Sequence, residues 1–91
     1  MRIVWTEASL TDLDDILTYV ADHFPSLGEA VERRIRAVAE RIGEWPESAR
    51  VVDERAGVRV APLVRYPYRV FYRVRGSTVE ILHIHHGARD D

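Results

Sequence analysis

The spacing of apolar residues changes once along the chain, and this change limits the folds that the chain can adopt. Up to residue 45, apolar residues recur every three or four positions, which is the period of helices with one buried face. The positions are Leu10, Leu13, Ile16, Leu17 and Val20 in a first helix, and Val31, Ile35, Val38, Ile42 and Trp45 in a second. From residue 58 onward, apolar and polar residues alternate in three segments, 58–65, 66–75 and 77–86, which predicts strands. A short β-rich segment, RIVW at 2–5, precedes the helices.

Local signals indicate where these elements begin and end. Thr6 is positioned to cap the first helix. The FPSLG segment at 24–28 separates the helices, because the residue before a proline is pushed out of helical geometry. A tryptophan–proline pair at 45–46 ends the second helix. Gly76 and Ser77 fit a two-residue hairpin loop of the II′ type, which prefers glycine first.

This hairpin loop predicts the register of the last two strands. One face would carry the pairs Val74–Val79, Tyr72–Ile81, Val70–His83 and Tyr68–His85. The other face would carry Arg69, Phe71, Arg73 and Arg75 beside Glu80, Leu82, Ile84 and His86. Both faces are partly apolar, so the pattern leaves open which of them packs on the helices. The order β-α-α-β-β-β predicts an α+β fold: an N-terminal strand, a two-helix hairpin and a three-stranded antiparallel sheet, in one domain spanning 1–91.

The composition narrows the class of protein. With 46% apolar and 31% charged residues, the chain has the composition of an ordinary globular domain. It contains no cysteine, which excludes disulfides, thiolate metal sites and a cysteine nucleophile. Its apolar runs are too short for a membrane span, and the opening MRIVWTEASL lacks the apolar core of a signal peptide. We therefore expect a cytoplasmic protein without membrane association.

The net charge of −2 conceals a division along the chain. Residues 1–32 contain seven acids and one arginine, whereas residues 55–79 contain six arginines and no acid. Such a basic segment suits phosphate or an acidic partner. The alternative is a solvated sheet face that pairs with the acidic helix.

The chain ends in HIHHGARDD, residues 83–91, a histidine-rich stretch that raises the question of a metal site. His83 and His85 are two apart and share a strand face, which is a geometry that zinc accepts. Their predicted neighbours Tyr68 and Val70 supply no obvious third ligand. We therefore predict no metal and no cofactor, and expect these histidines to pack against tyrosines on a half-buried face.

Other conspicuous side chains have structural interpretations. The aspartates at 12, 14 and 15 are expected to form a solvated helix face rather than a carboxylate site. The tyrosines at 66, 68 and 72 have rings that can stack on bases, but their alternation in a strand favours packing. Trp5 and Trp45 are expected in the core.

Taken in order, three segments resemble the RelE/ParE superfamily of bacterial type II toxins, and they cover nearly the whole chain. IVWTEASLTDLDDILTYV, at 3–20, is similar to the first strand and first helix of that superfamily. YRVFYRV, at 68–74, is similar to its central strand, and VEILHIHHGAR, at 79–89, to its last strand with an H-G-x-R ending. The WT start, the YRVFY strand and the HGARD ending look most like ParE and its plasmid stabilisation relatives.

The resemblance implies a toxin held inactive by an antitoxin that is encoded beside it. The expected antitoxin is ParD-like, with a ribbon-helix-helix N-terminus and an acidic C-terminal segment, and it forms a hetero-oligomer with the toxin. In the ParE branch the target is DNA gyrase and the toxin catalyses no reaction. In the RelE branch the toxin is an endonuclease that cleaves messenger RNA on the ribosome. A third hypothesis is a toxin-derived domain that only binds, and fold alone does not choose among the three.

Carried over residue by residue, the resemblance matches two arginines of RelE-type nucleases. Arg69 corresponds to the arginine of the YR motif, and Arg89 to that of the H-G-x-R ending. The RelE tyrosine beyond that second arginine has no counterpart, since Asp90 and Asp91 follow, and the chain has no lysine to match the RelE lysines. These departures favour the branch that is not a nuclease.

In a nuclease, His86 would take the role of the missing tyrosine, because histidine is suited to general acid–base catalysis near neutral pH. His86 is also predicted to share a face with Arg69. We assign no catalytic residue and keep Arg69, His86 and Arg89 as the candidates. The residues predicted to contact the target or the antitoxin are Arg65, Arg69, Arg73, His86 and Arg89. The alternative role for Arg69 and Arg89 is a salt bridge to Glu80 or Asp90.

Overall fold

A computed structural model describes residues 1–87 and shows two helices followed by the main part of a sheet. The elements in chain order are β1 (Arg2–Trp5), α1 (Glu7–His23), a 3₁₀ turn (Pro25–Leu27), α2 (Gly28–Glu44), β2 (Arg50–Val51), β3 (Val58–Pro62), β4 (Tyr68–Arg75) and β5 (Thr78–His86). This confirms the α+β class and the predicted order of the main elements. The two-residue strand β2 was not predicted, since a segment so short carries no measurable period. No helix in residues 1–87 is long and apolar enough to cross a membrane.

The five strands form one sheet in the order β1-β5-β4-β3-β2. β1 runs parallel to β5, and the other neighbouring strands are antiparallel. The pairing of β1 covers β5 only from Thr78 to Ile81. The remainder of β5 therefore has β4 on one side and no strand on the other, and this uncovered edge positions the site described below.

The helices begin and end where the local signals predict. The Thr6 hydroxyl accepts a hydrogen bond from the Ser9 N–H at 3.1 Å, which caps α1. The same hydroxyl lies 2.8 Å from the Ile81 carbonyl, to which it donates, so the cap also fixes α1 to β5. The hairpin loop has a positive φ of 61° at Gly76 and none at Ser77, as a II′ turn requires.

The helices pack on the face of the sheet that carries Val70 and Tyr72, called here the helix face. Its core joins α1 and α2 to the sheet, with Ile35, Tyr72 and Ile81 fully buried. The opposite, outer face carries Arg69, Phe71 and Arg73, and has a smaller buried cluster of Val58, Val60 and Phe71, with Val52 and Leu82 packed against it. The sheet is therefore apolar on both sides in this region, in agreement with the partly apolar faces predicted for the last two strands.

Two apolar residues of the predicted helical stripes lie outside the core. Leu10 is half exposed, because it lies on the side of α1 that faces away from the sheet. The neighbouring Ser9 is fully buried in its stead. Trp45 is 63% exposed and forms the C-cap of α2 rather than its last buried turn. The expectation that Trp45 lies in the core was wrong, whereas Trp5 packs against the core while remaining partly accessible.

Candidate functional site

A β-bulge in β5 decides which side chains meet near the end of the sheet. The register runs as predicted from Val74–Val79 to Tyr72–Ile81, but the next pair is Phe71–His83. Leu82 is the extra residue, and both Leu82 and His83 turn toward the outer face. The predicted pairs Val70–His83 and Tyr68–His85 were therefore wrong, and every later residue of β5 lies on the opposite face from the one expected.

After the bulge, Arg69 pairs with His85, and Tyr68 pairs with His86. The rings of Tyr68 and His86 meet edge-to-face at 5.5 Å on the helix face. Arg69 lies on the outer face, where its guanidinium carbon is 5.9 Å from the centre of the Phe71 ring. The prediction that His86 shares a face with Arg69 was wrong. His85 takes that place, with its ring 5.2 Å from that of Phe71.

The arginines near the hairpin are arranged around one carboxylate. Arg73 Nε donates to Glu80 Oε1 at 2.8 Å, and Arg75 Nε lies 3.9 Å from the same oxygen. The hydrogen bond from Arg73 is the main cause that lowers the pKa of Glu80 below its usual value, and the charge of Arg75 adds to it. Glu80 thus neutralises part of the outer face but leaves it with a net positive charge.

The other arginines of the basic segment have separate positions. Arg65 is exposed in the loop between β3 and β4. Arg59 Nη1 donates to the Ala49 carbonyl at 2.8 Å, so it holds the segment before β2 against β3. Arg89, a predicted contact and candidate catalytic residue, lies outside the described residues.

The uncovered edge of β5 is closed by a side chain from α1. Asp12 Oδ2 accepts a hydrogen bond from the Ile84 N–H at 3.0 Å, in the place where a neighbouring strand would offer a carbonyl. The same oxygen lies 3.1 Å from His83 Nδ1. Because a carboxylate only accepts hydrogen bonds, His83 is oriented with Nδ1–H toward Asp12. Asp12 is therefore not part of a solvated face, in contrast to the prediction, whereas Asp14 and Asp15 are exposed.

An open groove of about 750 Å³ runs between α1 and the end of β5. Its lining residues are Asp12, Asp15, Ile16, Tyr19, Tyr68, Ile84, His85 and His86. The groove has carboxylates on its helical side and imidazoles on its strand side, with apolar and aromatic groups at its base. Such a mixture suits a polar or charged partner group better than an apolar ligand.

The tyrosines of the basic segment are packing residues. Tyr72 is fully buried and donates its hydroxyl hydrogen to the Pro46 carbonyl at 2.7 Å. Burial raises the pKa of Tyr72 above its ordinary value of 10.0. Tyr68 is also buried. Neither ring offers a free face for stacking on a base, which confirms the structural interpretation for these two tyrosines.

Asp12 and His85 are the site residues whose roles sequence reasoning missed. Asp12 precedes the buried Leu13 and lies one turn before Ile16, so it borders the apolar stripe of α1, and this proximity was the available signal. The role of His85 follows from the bulge at Leu82, for which the sequence offers no glycine or other local marker.

Similarity to known proteins agrees with this architecture. Residues 3–91 match the family described as the ParE toxin of the type II toxin–antitoxin system parDE. The chain belongs to the ParE toxin family. This confirms the resemblance inferred from the WT start, the YRVFY strand and the HGARD ending.

Two relatives illustrate the range of this family. The chain is 32% identical over 88 residues to Toxin RelE2 of Caulobacter vibrioides, an alignment that covers 97% of each chain. Its fold is similar to that of a chain from the chromosomal ParDE TA system of P. aeruginosa, with a TM-score of 0.72 and 26% identity over 94% of this chain and 95% of the other. The fold and the toxin family are therefore shown, while the names of relatives include both ParE and RelE types.

Proposed function

We propose that this ParE-family toxin acts by binding DNA gyrase, and that a cognate antitoxin neutralises it by covering the outer face of the sheet. The match of residues 3–91 to the ParE toxin family is the observation that carries the proposal. The similarity to a chain of a ParDE system supports a partner antitoxin. Gyrase is the target that the ParE resemblance implies, and the toxin then needs a binding surface rather than an active site.

The positions of the candidate nuclease residues support binding over RNA cleavage. Cleavage by the 2′-hydroxyl needs a base and cations that converge on one phosphate. His86 meets Tyr68 on the helix face, whereas Arg69 lies on the outer face. The chain also contains no lysine to add further cations of the RelE type. Arg69 is better suited to contact a partner.

The outer face has the properties expected of a surface for an acidic partner. Arg69, Arg73 and Arg75 project from β4 on this face, and Phe71 lies between the first two. Guanidinium groups bind carboxylates in a bidentate manner, and interfaces are enriched in arginine and aromatic residues. An acidic C-terminal segment of a ParD-like antitoxin would pair its carboxylates with these arginines, with Arg65 and Arg89 as further contacts.

A second candidate function is ribosome-dependent cleavage of messenger RNA. His85 lies opposite Arg69 on the outer face, which places an imidazole and a guanidinium on the same side of the sheet. One relative is named Toxin RelE2. In this alternative His85, rather than His86, would be the general acid or base.

The deciding experiment is induction of the wild-type chain in bacteria, together with a supercoiling assay on purified gyrase. Three variants accompany it: Arg69→Ala/Arg73→Ala on the outer face, His85→Ala for the nuclease alternative, and Arg36→Ala as a control. Arg36 is an exposed arginine on α2 that pairs only with Glu32 among the described contacts, so it removes a charge without touching the sheet.

Inhibition of purified gyrase, with filamentation and intact message in cells, supports the proposal. We then expect the double variant to raise the inhibitory concentration at least about tenfold, which is about 1.4 kcal/mol of binding free energy. Arg36→Ala should inhibit as the wild type does. Message cleavage that His85→Ala abolishes would establish the nuclease instead. A wild-type chain that changes neither gyrase nor message nor growth would contradict both activities and favour the toxin-derived domain without toxic activity.

A further inference from the structure

The structure places a third possible metal ligand, Asp12, beside His83 and His85 of β5. Asp12, His83 and His85 each offer a ligand atom, and these atoms lie within 4.8 Å of one another. The three side chains come from two elements that the groove separates, and all three are partly accessible to solvent. We propose that Asp12, His83 and His85 bind a divalent transition metal ion of the zinc type and thereby join α1 to β5.

The geometry of the strand favours this assignment. His83 and His85 are separated by one residue, follow the bulge and project to the same side of β5, where their ring centres are 5.0 Å apart. A pair of imidazoles on alternate strand positions, with a carboxylate from another element, is a ligand set that zinc accepts, with water in the fourth place. Imidazole ligands select zinc, copper or nickel over magnesium and calcium.

The distance between Asp12 and His83 also fits metal coordination. Metal bonds of about 2.0 Å in tetrahedral geometry place neighbouring donor atoms roughly 3.3 Å apart. Asp12 Oδ2 and His83 Nδ1 are 3.1 Å apart. A metal ion bound at His83 Nδ1 would take the place of the hydrogen between the two atoms, and the neutral ring would then carry its hydrogen on Nε2. The donor atom of His85 lies within 4.8 Å of the other two, so side-chain rotation has to bring it closer by at most about 1.5 Å.

The surrounding charges support a cation at this position. Asp15 lies one helical turn after Asp12 and lines the same groove, which places a second carboxylate near the three donors. Asp12 Oδ2 has more than one lone pair, so it can keep the hydrogen bond to the Ile84 N–H while it coordinates the ion. The site is therefore compatible with the structural role of Asp12 at the edge of β5.

Isothermal titration of the full untagged chain with zinc chloride tests the proposal. We expect one ion per chain and a rise in the melting temperature as zinc is added, because an ion that binds only the folded state stabilises it. His85→Asn and Asp12→Asn should each weaken binding at least about tenfold, since loss of even an outer-shell partner of a metal ligand costs about 10- to 100-fold in affinity. Cobalt chloride should give intense d–d absorption with the wild type and not with His85→Asn.

Two further variants make the assignment specific. His86→Asn alters the next residue of β5, which meets Tyr68 on the other face, and His23→Asn alters an exposed histidine at the end of α1. Both should bind zinc as the wild type does. His85→Asn leaves the Asp12–Ile84 hydrogen bond in place, so it remains informative if Asp12→Asn fails to fold. The proposal is overturned if the wild type binds zinc no more tightly than His85→Asn, or if His86→Asn weakens binding to the same extent.

Discussion

Among single residues, Tyr72 has the clearest predicted effect on stability, because its hydroxyl is buried and has a defined acceptor. Tyr72→Phe removes the donor to the Pro46 carbonyl and leaves that oxygen without its 2.7 Å partner. We expect the free energy of unfolding to fall by about 1–2 kcal/mol, measured by urea denaturation with an unchanged m-value. Tyr19→Phe, at an exposed tyrosine, is the matched control and should change it by less than about 0.5 kcal/mol.

The same side chain also predicts a pH dependence. The pKa of Tyr72 is raised in the folded state from 10.0, so the unfolded chain loses this proton first. The contribution of Tyr72 to stability is therefore complete below pH 10.0 and declines as the pH rises from there toward the folded pKa. Unfolding measured across this range should show a steeper loss of stability for the wild type than for Tyr72→Phe. Equal slopes for the two proteins would contradict this assignment.

At the scale of elements, the contact between α1 and the uncovered edge of β5 rests on Asp12. Asp12→Ala leaves the half-buried Ile84 N–H and His83 without their acceptor. We expect a loss of about 1–3 kcal/mol in the free energy of unfolding, typical of an unsatisfied polar group. Hydrogen exchange at the Ile84 amide should accelerate more than exchange in β1. Asp14→Ala, at an exposed aspartate of the same helix, should change neither quantity, and an equal effect from both variants would show that only helix charge matters.

Some features of these elements could be predicted from the sequence alone, and others could not. Helix faces, the Thr6 cap and the Gly76 turn were predictable, because each depends on residues close together in the chain. The bulge at Leu82 was not, since it depends on how β4 and β5 pack together. One extra residue moved His85 to the face of Arg69 and His86 away from it. The fold was therefore predictable from the sequence, whereas the grouping of candidate site residues required the register.

For the whole molecule, the separation of charge along the chain becomes a separation in space. The acidic residues of α1 lie on the helical side, and the arginines of β4 lie on the outer face. Exposed arginines also occur on α2, but there Arg33 forms an ion pair with Glu29, and Arg36 forms one with Glu32. The outer face is consequently the side on which positive charge exceeds negative charge, although the chain as a whole has a net charge of −2.

This separation of charge predicts the rate at which the toxin associates with an antitoxin that presents an acidic segment to the outer face. Arg73→Gln/Arg75→Gln should slow association about three- to tenfold at low salt, because complementary charges accelerate encounter. The difference should shrink as added salt shortens the screening distance to about 10 Å at 0.1 M. Arg33→Gln/Arg36→Gln removes the same charge from α2 and should leave the rate close to that of the wild type. Stopped-flow association at several salt concentrations measures this, and equal slowing by both double variants would place the effect in net charge rather than in the outer face.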